Sequence, residues 1–287
     1  MKAHPQYSTQ DRTFWANVRT ISQQLGYTDR ITKQIKTYTI EDIKSAMHRT
    51  GLSSEHLIDE NNNISFLGNT LVDYFIYRAH VLNEYAKPRL MTLQQAQELF
   101  HKLQHDYNPT VPTPMNKQTG DKKKIAFLTA IVNIVIEKHI NGLECDYTPK
   151  TLTAITKNNQ PLRTLARRVD GCFPSCTNPV AIWEIKEYYH TTSFGSRIAD
   201  GIYETLLDGM ELEELWQQEK IDVQHLLVID SYTTWWEMGK SYLCRIIDTL
   251  NMGYVDDILF GYEVVEQLPA IVTEWITTYQ SRLNGAL

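Results

Sequence analysis

Three residues in the middle of the chain have the types and spacing to hydrolyse a phosphodiester. They are Asp170, Glu184 and Lys186, in the segment RRVDGCFPSCTNPVAIWEIKEYY. Side chains alternate faces along a strand, so Glu184 and Lys186 of the Glu-Ile-Lys run share one face. Trp183 and Ile185 then point into the opposite layer. A hairpin folded about PSCTNP brings Asp170 opposite Trp183 or Glu184. Two carboxylates and one ammonium would converge on one patch. Carboxylate oxygens suit a hard divalent cation, magnesium above all. Such an ion polarises a phosphate and lowers the pKa of bound water. The lysine can orient the attacking water and offset developing negative charge.

The elements that must position these residues can be read from the flanking pattern. IAFLTAIVNIVIEKHI predicts a buried helix. RTLARRVDGCF and VAIWEIKEYY predict two strands joined by a proline-flanked turn. SFGSRIADGIYETLLDG predicts a helix, QHLLVIDS a short buried strand, and TTWWEMGKSYLCRIIDTL a further helix. Within that last run, Trp235 and Trp236 are adjacent, so one is expected to pack inward and one outward. The order helix, strand, strand, helix, strand, helix predicts an α/β chain of α+β character, a mixed sheet flanked by helices. The first hundred residues read instead as helices. In TIEDIKSAMHRTGLSSEHL, Thr39 is an N-cap with Asp42 three positions on, and Gly51 ends the helix. The segment has the outline of a DNA-reading helix-turn-helix whose second helix would begin near Ser53. An ordinary helical hairpin is the favoured reading, because the spacing is one residue too long. Residues 105–124 hold three prolines, a glycine and Lys122, Lys123 and Lys124, which is the composition of a linker. The chain is therefore expected to divide into a helical region, 1–120, and a catalytic region, 121–287.

On RVDG at 168–171, EIK at 184–186, their hairpin and the helices before and after, the sequence resembles the PD-(D/E)XK nuclease superfamily, most closely the type II restriction endonucleases. Val169 stands where the family's name has proline. The resemblance covers roughly residues 125–260. It implies a restriction-endonuclease-like fold and magnesium-dependent cutting of double-stranded DNA by Asp170, Glu184 and Lys186. It also implies that Asp170, Glu184 and the backbone carbonyl of Ile185 hold the metal. The family often adds an acid from the preceding helix, and Glu137 is the positional match. A homodimer is implied too, since a two-fold pair reads a palindrome. Region 1–120 would then carry DNA contacts or the dimer interface. The alternatives are a structure-specific repair nuclease and a non-catalytic DNA-binding protein.

Charge bears on the partner. The net charge is −6, which by itself argues against nucleic acid. Binding depends on the local field, however. From Tyr147 to Val169 the chain carries Lys150, Lys157, Arg163, Arg167 and Arg168 and no acid. Arg163, Arg167 and Arg168 are candidate DNA contacts. So are Ser196 and Arg197, at the start of the helix after the Glu-Ile-Lys strand, where a phosphate is favoured. Ser193 reads there as an ordinary cap, and Glu204 as a polar neighbour of the site. The lack of a glycine-rich phosphate loop argues against a nucleotide cofactor. No apolar run is long enough for a membrane span. The opening MKAHPQYSTQDR lacks a signal-peptide core, so a cytoplasmic protein is expected. Of the four cysteines, only Cys172 and Cys176 are close in sequence. One pair without a second reads as turn or core thiols rather than as a zinc site.

Overall fold

The computed structural model describes residues 1–287 except 60, 62, 117, 118, 121, 122, 192–194, 286 and 287, and the side chain of Arg197. The chain begins with helices α1 (Pro5–Ser8), α2 (Arg12–Leu25), α3 (Ile40–Arg49) and α4 (Phe66–His80). Helices α5 (Leu93–Tyr107) and α6 (Phe127–His139) follow, then a hairpin of β1 (Ala154–Lys157) and β2 (Gln160–Thr164). Next come β3 (Gly171–Phe173), β4 (Ala181–Glu187), α7 (Ser196–Glu219), β5 (Gln224–Asp230), α8 (Lys240–Asn251), β6 (Asp257–Phe260) and α9 (Glu263–Leu283).

The larger sheet has the order β3-β4-β5-β6. The β3/β4 pair is antiparallel, and β4/β5 and β5/β6 are parallel. The fold is thus the expected mixed sheet flanked by helices, with a helical N-terminal region. Strand β4 is covered on both faces and is buried at six of its seven positions, Glu184 and Lys186 included. Trp183 and Ile185 join Val228 and Leu259 in a core with α5, α6 and α9. Helix α6 is apolar all round because it lies in the middle of that core. Leu227 and Ile229 face the other way, toward Ile198 and Ile202 of α7 and Leu243 and Ile247 of α8. Their register partners in β4 are Glu184 and Lys186. The chemistry-bearing pair therefore lies on the α7 side of the sheet.

Four local expectations are corrected. RTLARRVDGCF is not one strand. Its first two residues end β2, its last three form β3, and the chain between them leaves both sheets. The β1/β2 hairpin was not foreseen, although Asn158-Asn159 marks it. Both residues adopt left-handed backbone, φ 52 and 60, as a two-residue hairpin turn requires. After α3, capped by Thr39 and Asp42 as read, only the three-residue turn Glu55–Leu57 forms. Among the described residues no recognition helix begins near Ser53; the Asn61 and Asn63 amides donate instead to the Asp59 carboxylate. Trp235 and Trp236 are both buried. They lie on the wide π-helical turn Tyr232–Met238, where neighbours are closer in angle than the roughly 100° of an α-helix, so both can face the core.

The expected division near residue 120 falls between α5 and α6, and those two helices share one core. The N-terminal helices dock on α8. Arg78 of α4 is fully buried and contacts both oxygens of Asp248 at 3.0 and 3.1 Å, and the Tyr74 hydroxyl donates to Asp248 at 2.6 Å. Among the described residues, no helix is long and apolar enough to cross a membrane.

Candidate active site

Antiparallel pairing sets Gly171 opposite Trp183, so Asp170 faces Glu184 one step beyond the ladder. The Asp170 amide donates to the Trp183 carbonyl at 3.1 Å. The Ile185 amide donates to Asp170 Oδ2 at 2.9 Å. The register rests on Gly171. A Cβ there would stand 2.0 Å from the Trp183 indole, so only glycine lets β3 lie against that ring. Trp183 in turn stacks on Trp275 of α9 at 5.5 Å between centroids.

Lys186 extends from β4 on the Glu184 face. Its Nζ lies 2.8 Å from Glu184 Oε2 and 2.9 Å from Glu204 Oε2 on α7. Gly201 gives the lysine stem its passage, since a Cβ there would lie 3.2 Å from Lys186 Cδ. The Trp235 indole N–H donates to the Lys186 carbonyl at 3.1 Å and fixes this end of the strand. Burial alone would lower the lysine's pKa, but Glu184 and Asp170 outweigh it and hold the ammonium charged. Burial likewise pushes Glu184 up, and Lys186 and Arg167 reverse this, so its carboxylate is held below the usual range.

Arg167 is the residue whose role the sequence concealed. Its guanidinium turns inward and forks onto Glu184, Nη1 to Oε1 at 2.7 Å and Nη2 to Oε2 at 3.1 Å. It also reaches Asp208 and, at 3.4 Å, Glu204. Glu184 is 0% exposed, and its two oxygens are thereby taken by Arg167 and Lys186. Glu204 and Asp208 stand one turn apart on α7, on the face that meets β4. Asp208 was missed in the sequence. The available signal was its i,i+4 spacing from Glu204 along the apolar face of α7. Burial, together with Glu184, pushes the Asp208 carboxyl up to about 7 despite Arg167.

The cluster holds four carboxylates, Asp170, Glu184, Glu204 and Asp208, and two cations, Arg167 and Lys186. Asp208 Oδ1 is buried without a hydrogen-bond partner among the described residues. This excess of acid and the orphaned oxygen suit the chemistry of a hard divalent cation, but among the described residues these acids do not bring three ligand atoms within 4.8 Å of one another. Asp170, Glu184 and Asp208 are the side chains that would have to close on such an ion. Arg167 would first have to leave Glu184.

The other expected residues lie elsewhere. Glu137 is near the C-terminal end of α6, where it accepts from the Thr110 amide at 3.0 Å. The end of α6 nearer the strand carries Thr129, whose amide donates at 2.8 Å to Glu187. Glu137 is eight residues further on, about 12 Å along the helix, and does not join the cluster. Arg163 pairs with Glu214 of α7 at 3.0 Å, and Lys157 lies 3.8 Å from Glu219. Much of the basic stretch is therefore neutralised by the acids of α7. Lys150, Arg168, Lys123 and Lys124 remain exposed. Ser196 is exposed in the first turn of α7, whose cap residue is Gly195. Ser193, Lys122 and the Arg197 side chain lie outside the described residues.

Fold and site define a mixed-sheet α/β protein with a buried acidic cluster between its central strand and a long helix. A family model described as a domain of unknown function (DUF7687) matches residues 91–275. It spans more than half of the chain, and the chain belongs to this family. A second domain of unknown function (DUF7690) matches residues 1–85. No curated protein and no solved structure matches the chain.

Proposed function

We propose that the chain is a magnesium-dependent endonuclease of double-stranded DNA, of the type II restriction kind, acting as a homodimer in cytoplasmic phage defence. One observation carries the reading. Asp170 meets Glu184 across the β3/β4 hairpin, Lys186 shares that face, and Glu204 and Asp208 add acid from α7. Magnesium bound there supplies Lewis-acid polarisation of the phosphate and a more acidic water. Asp170 and Glu184 would provide its oxygens. Lys186, held charged, orients the water and balances charge on the phosphate. Glu204 positions the lysine. Glu184 is closed to solvent, so the resting form is latched, and Arg167 must swing away before the site works.

The Arg167 fork also favours a second reading, in which the network only ties β4 to α7 and has no catalytic role. A digest of phage and plasmid DNA separates the two. The full chain is tested with magnesium and with EDTA, beside Asp170→Asn and Lys186→Ala. Discrete magnesium-dependent fragments, lost in both variants, are expected. Circular dichroism of Asp170→Asn controls for folding, since asparagine can still accept from the Ile185 amide. Absence of cutting, or cutting that survives either substitution, leaves the second reading standing. Cutting confined to branched or damaged DNA would make the enzyme structure-specific.

A further inference from the structure

A second cluster lies apart from the acidic one, at the base of the same hairpin. Asp146 and Cys172 form an antiparallel bridge and exchange both backbone hydrogen bonds at 3.0 Å. Residues opposed in this way project their side chains to the same side of the ladder. Alternation sends the adjacent Cys145 the other way, where it packs against the core of α6 and α9. Cys176 is brought up from the turn by the Ala154 amide, which donates to its carbonyl at 2.8 Å. Its sulfur lies 2.9 Å from Cys172 Sγ and 3.5 Å from Asp146 Oδ2. One oxygen from Asp146 and the two sulfurs all fall within 4.8 Å of one another. The Thr148 amide holds the other oxygen, Oδ1, at 3.0 Å and so aims Oδ2 at the sulfurs.

We propose that Asp146, Cys172 and Cys176 form a zinc-binding site that clips the segment after α6 to the hairpin carrying Asp170 and Glu184. The donor set argues for the metal. Two sulfurs select a thiophilic cation of the zinc kind over magnesium. A disulfide would have no use for the oriented carboxylate. Tetrahedral zinc with ordinary bond lengths spans about 3.5 Å between sulfur and oxygen and about 3.8 Å between sulfurs. The distance from the Cys176 sulfur to the Asp146 oxygen already matches, and the sulfurs need part by about 0.9 Å, which a side-chain torsion supplies. Three segments converge through backbone hydrogen bonds, so the donors are arranged before the ion arrives. Binding displaces the two thiol protons to solvent and leaves a fourth position for water. The inference does not depend on the nuclease reading.

The test uses the thiol-reduced full chain with zinc, and with cobalt as a coloured reporter. One zinc per chain should survive gel filtration. Cobalt should give a sulfur-to-metal charge-transfer band that zinc abolishes. Cys176→Ser should lose the band. Asp146→Asn keeps the Thr148 contact, and should weaken zinc at least about tenfold in competition with a chromophoric chelator. A chain that retains no zinc and shows no band would overturn the proposal. So would an undiminished band in Cys176→Ser, or unchanged affinity in a folded Asp146→Asn. A mass two hydrogens lighter before reduction, with no zinc bound after it, would assign the pair to a disulfide instead.

Discussion

Arg167→Met removes the latch on Glu184 while keeping an apolar stem of similar length. In the intact protein Arg167 is the cation that serves both Glu184 and Asp208, each 0% exposed. Breaking a buried pair from one side costs about 3–5 kcal/mol. Arg167 keeps 21% of its side chain exposed, Lys186 still serves Glu184, and Asp208 can escape by taking up a proton. The loss should therefore sit at the low end, about 3 kcal/mol. At roughly 2–4 °C per kcal/mol, the melting temperature in EDTA falls by about 6–12 °C. If the cluster is a magnesium site, the variant has lost the ion's competitor. Magnesium at about a hundred times its Kd then restores about 2.7 kcal/mol, nearly the whole deficit. The wild type, still latched, gains much less. Calorimetry across a magnesium series, with calcium and sodium controls, reads both numbers. A destabilised variant that magnesium helps no more than it helps wild type would refute the metal reading, and the nuclease with it. A variant within about 0.5 kcal/mol of wild type would refute the account of the ion pairs themselves.

Three further outcomes are expected. Asp248→Ala strands the buried Arg78 guanidinium without its carboxylate, and urea unfolding should show a loss of about 3–5 kcal/mol; a loss below about 1 kcal/mol would mean that the N-terminal helices do not rest on this pair. Gly171→Ala drives a Cβ into the Trp183 indole and should cost about 1–3 kcal/mol or more; unchanged stability would contradict the close approach that sets the hairpin register. Burial pushes the Asp230 carboxyl from 3.8 to about 7, although the amides of Met91 and Ser231 and the Tyr189 hydroxyl donate to it. Between those values the folded chain holds a proton that the unfolded chain has released, so this group's contribution is full below about pH 4 and declines as pH rises through 7. Asp230→Asn does not titrate and should flatten the decline in urea unfolding between pH 4 and 8; a slope equal to that of wild type would dispose of the argument.

What the sequence determined by itself was local. The two-residue period of a strand put Glu184 and Lys186 on one face and Trp183 and Ile185 on the other, and the structure agrees. The proline-flanked turn fixed the Asp170 register to within one residue. Thr39 and Asp42 capped α3 as their spacing required. These features follow from covalent geometry acting over a few residues. The destination of charge was not local. Arg167 looked like a DNA contact beside Arg163 and Arg168, yet it finds its partners 17, 37 and 41 residues away. Glu204, Asp208 and Glu214 became its neighbours, and those of Arg163, only when α7 docked across β4. Cys172 and Cys176 lacked a second pair in the sequence, and Asp146 joined them only through a bridge 26 residues upstream of Cys172. A charge or a thiol carries no periodic signature of its partner, and only chain segments brought together by burial of their apolar faces decide which groups meet.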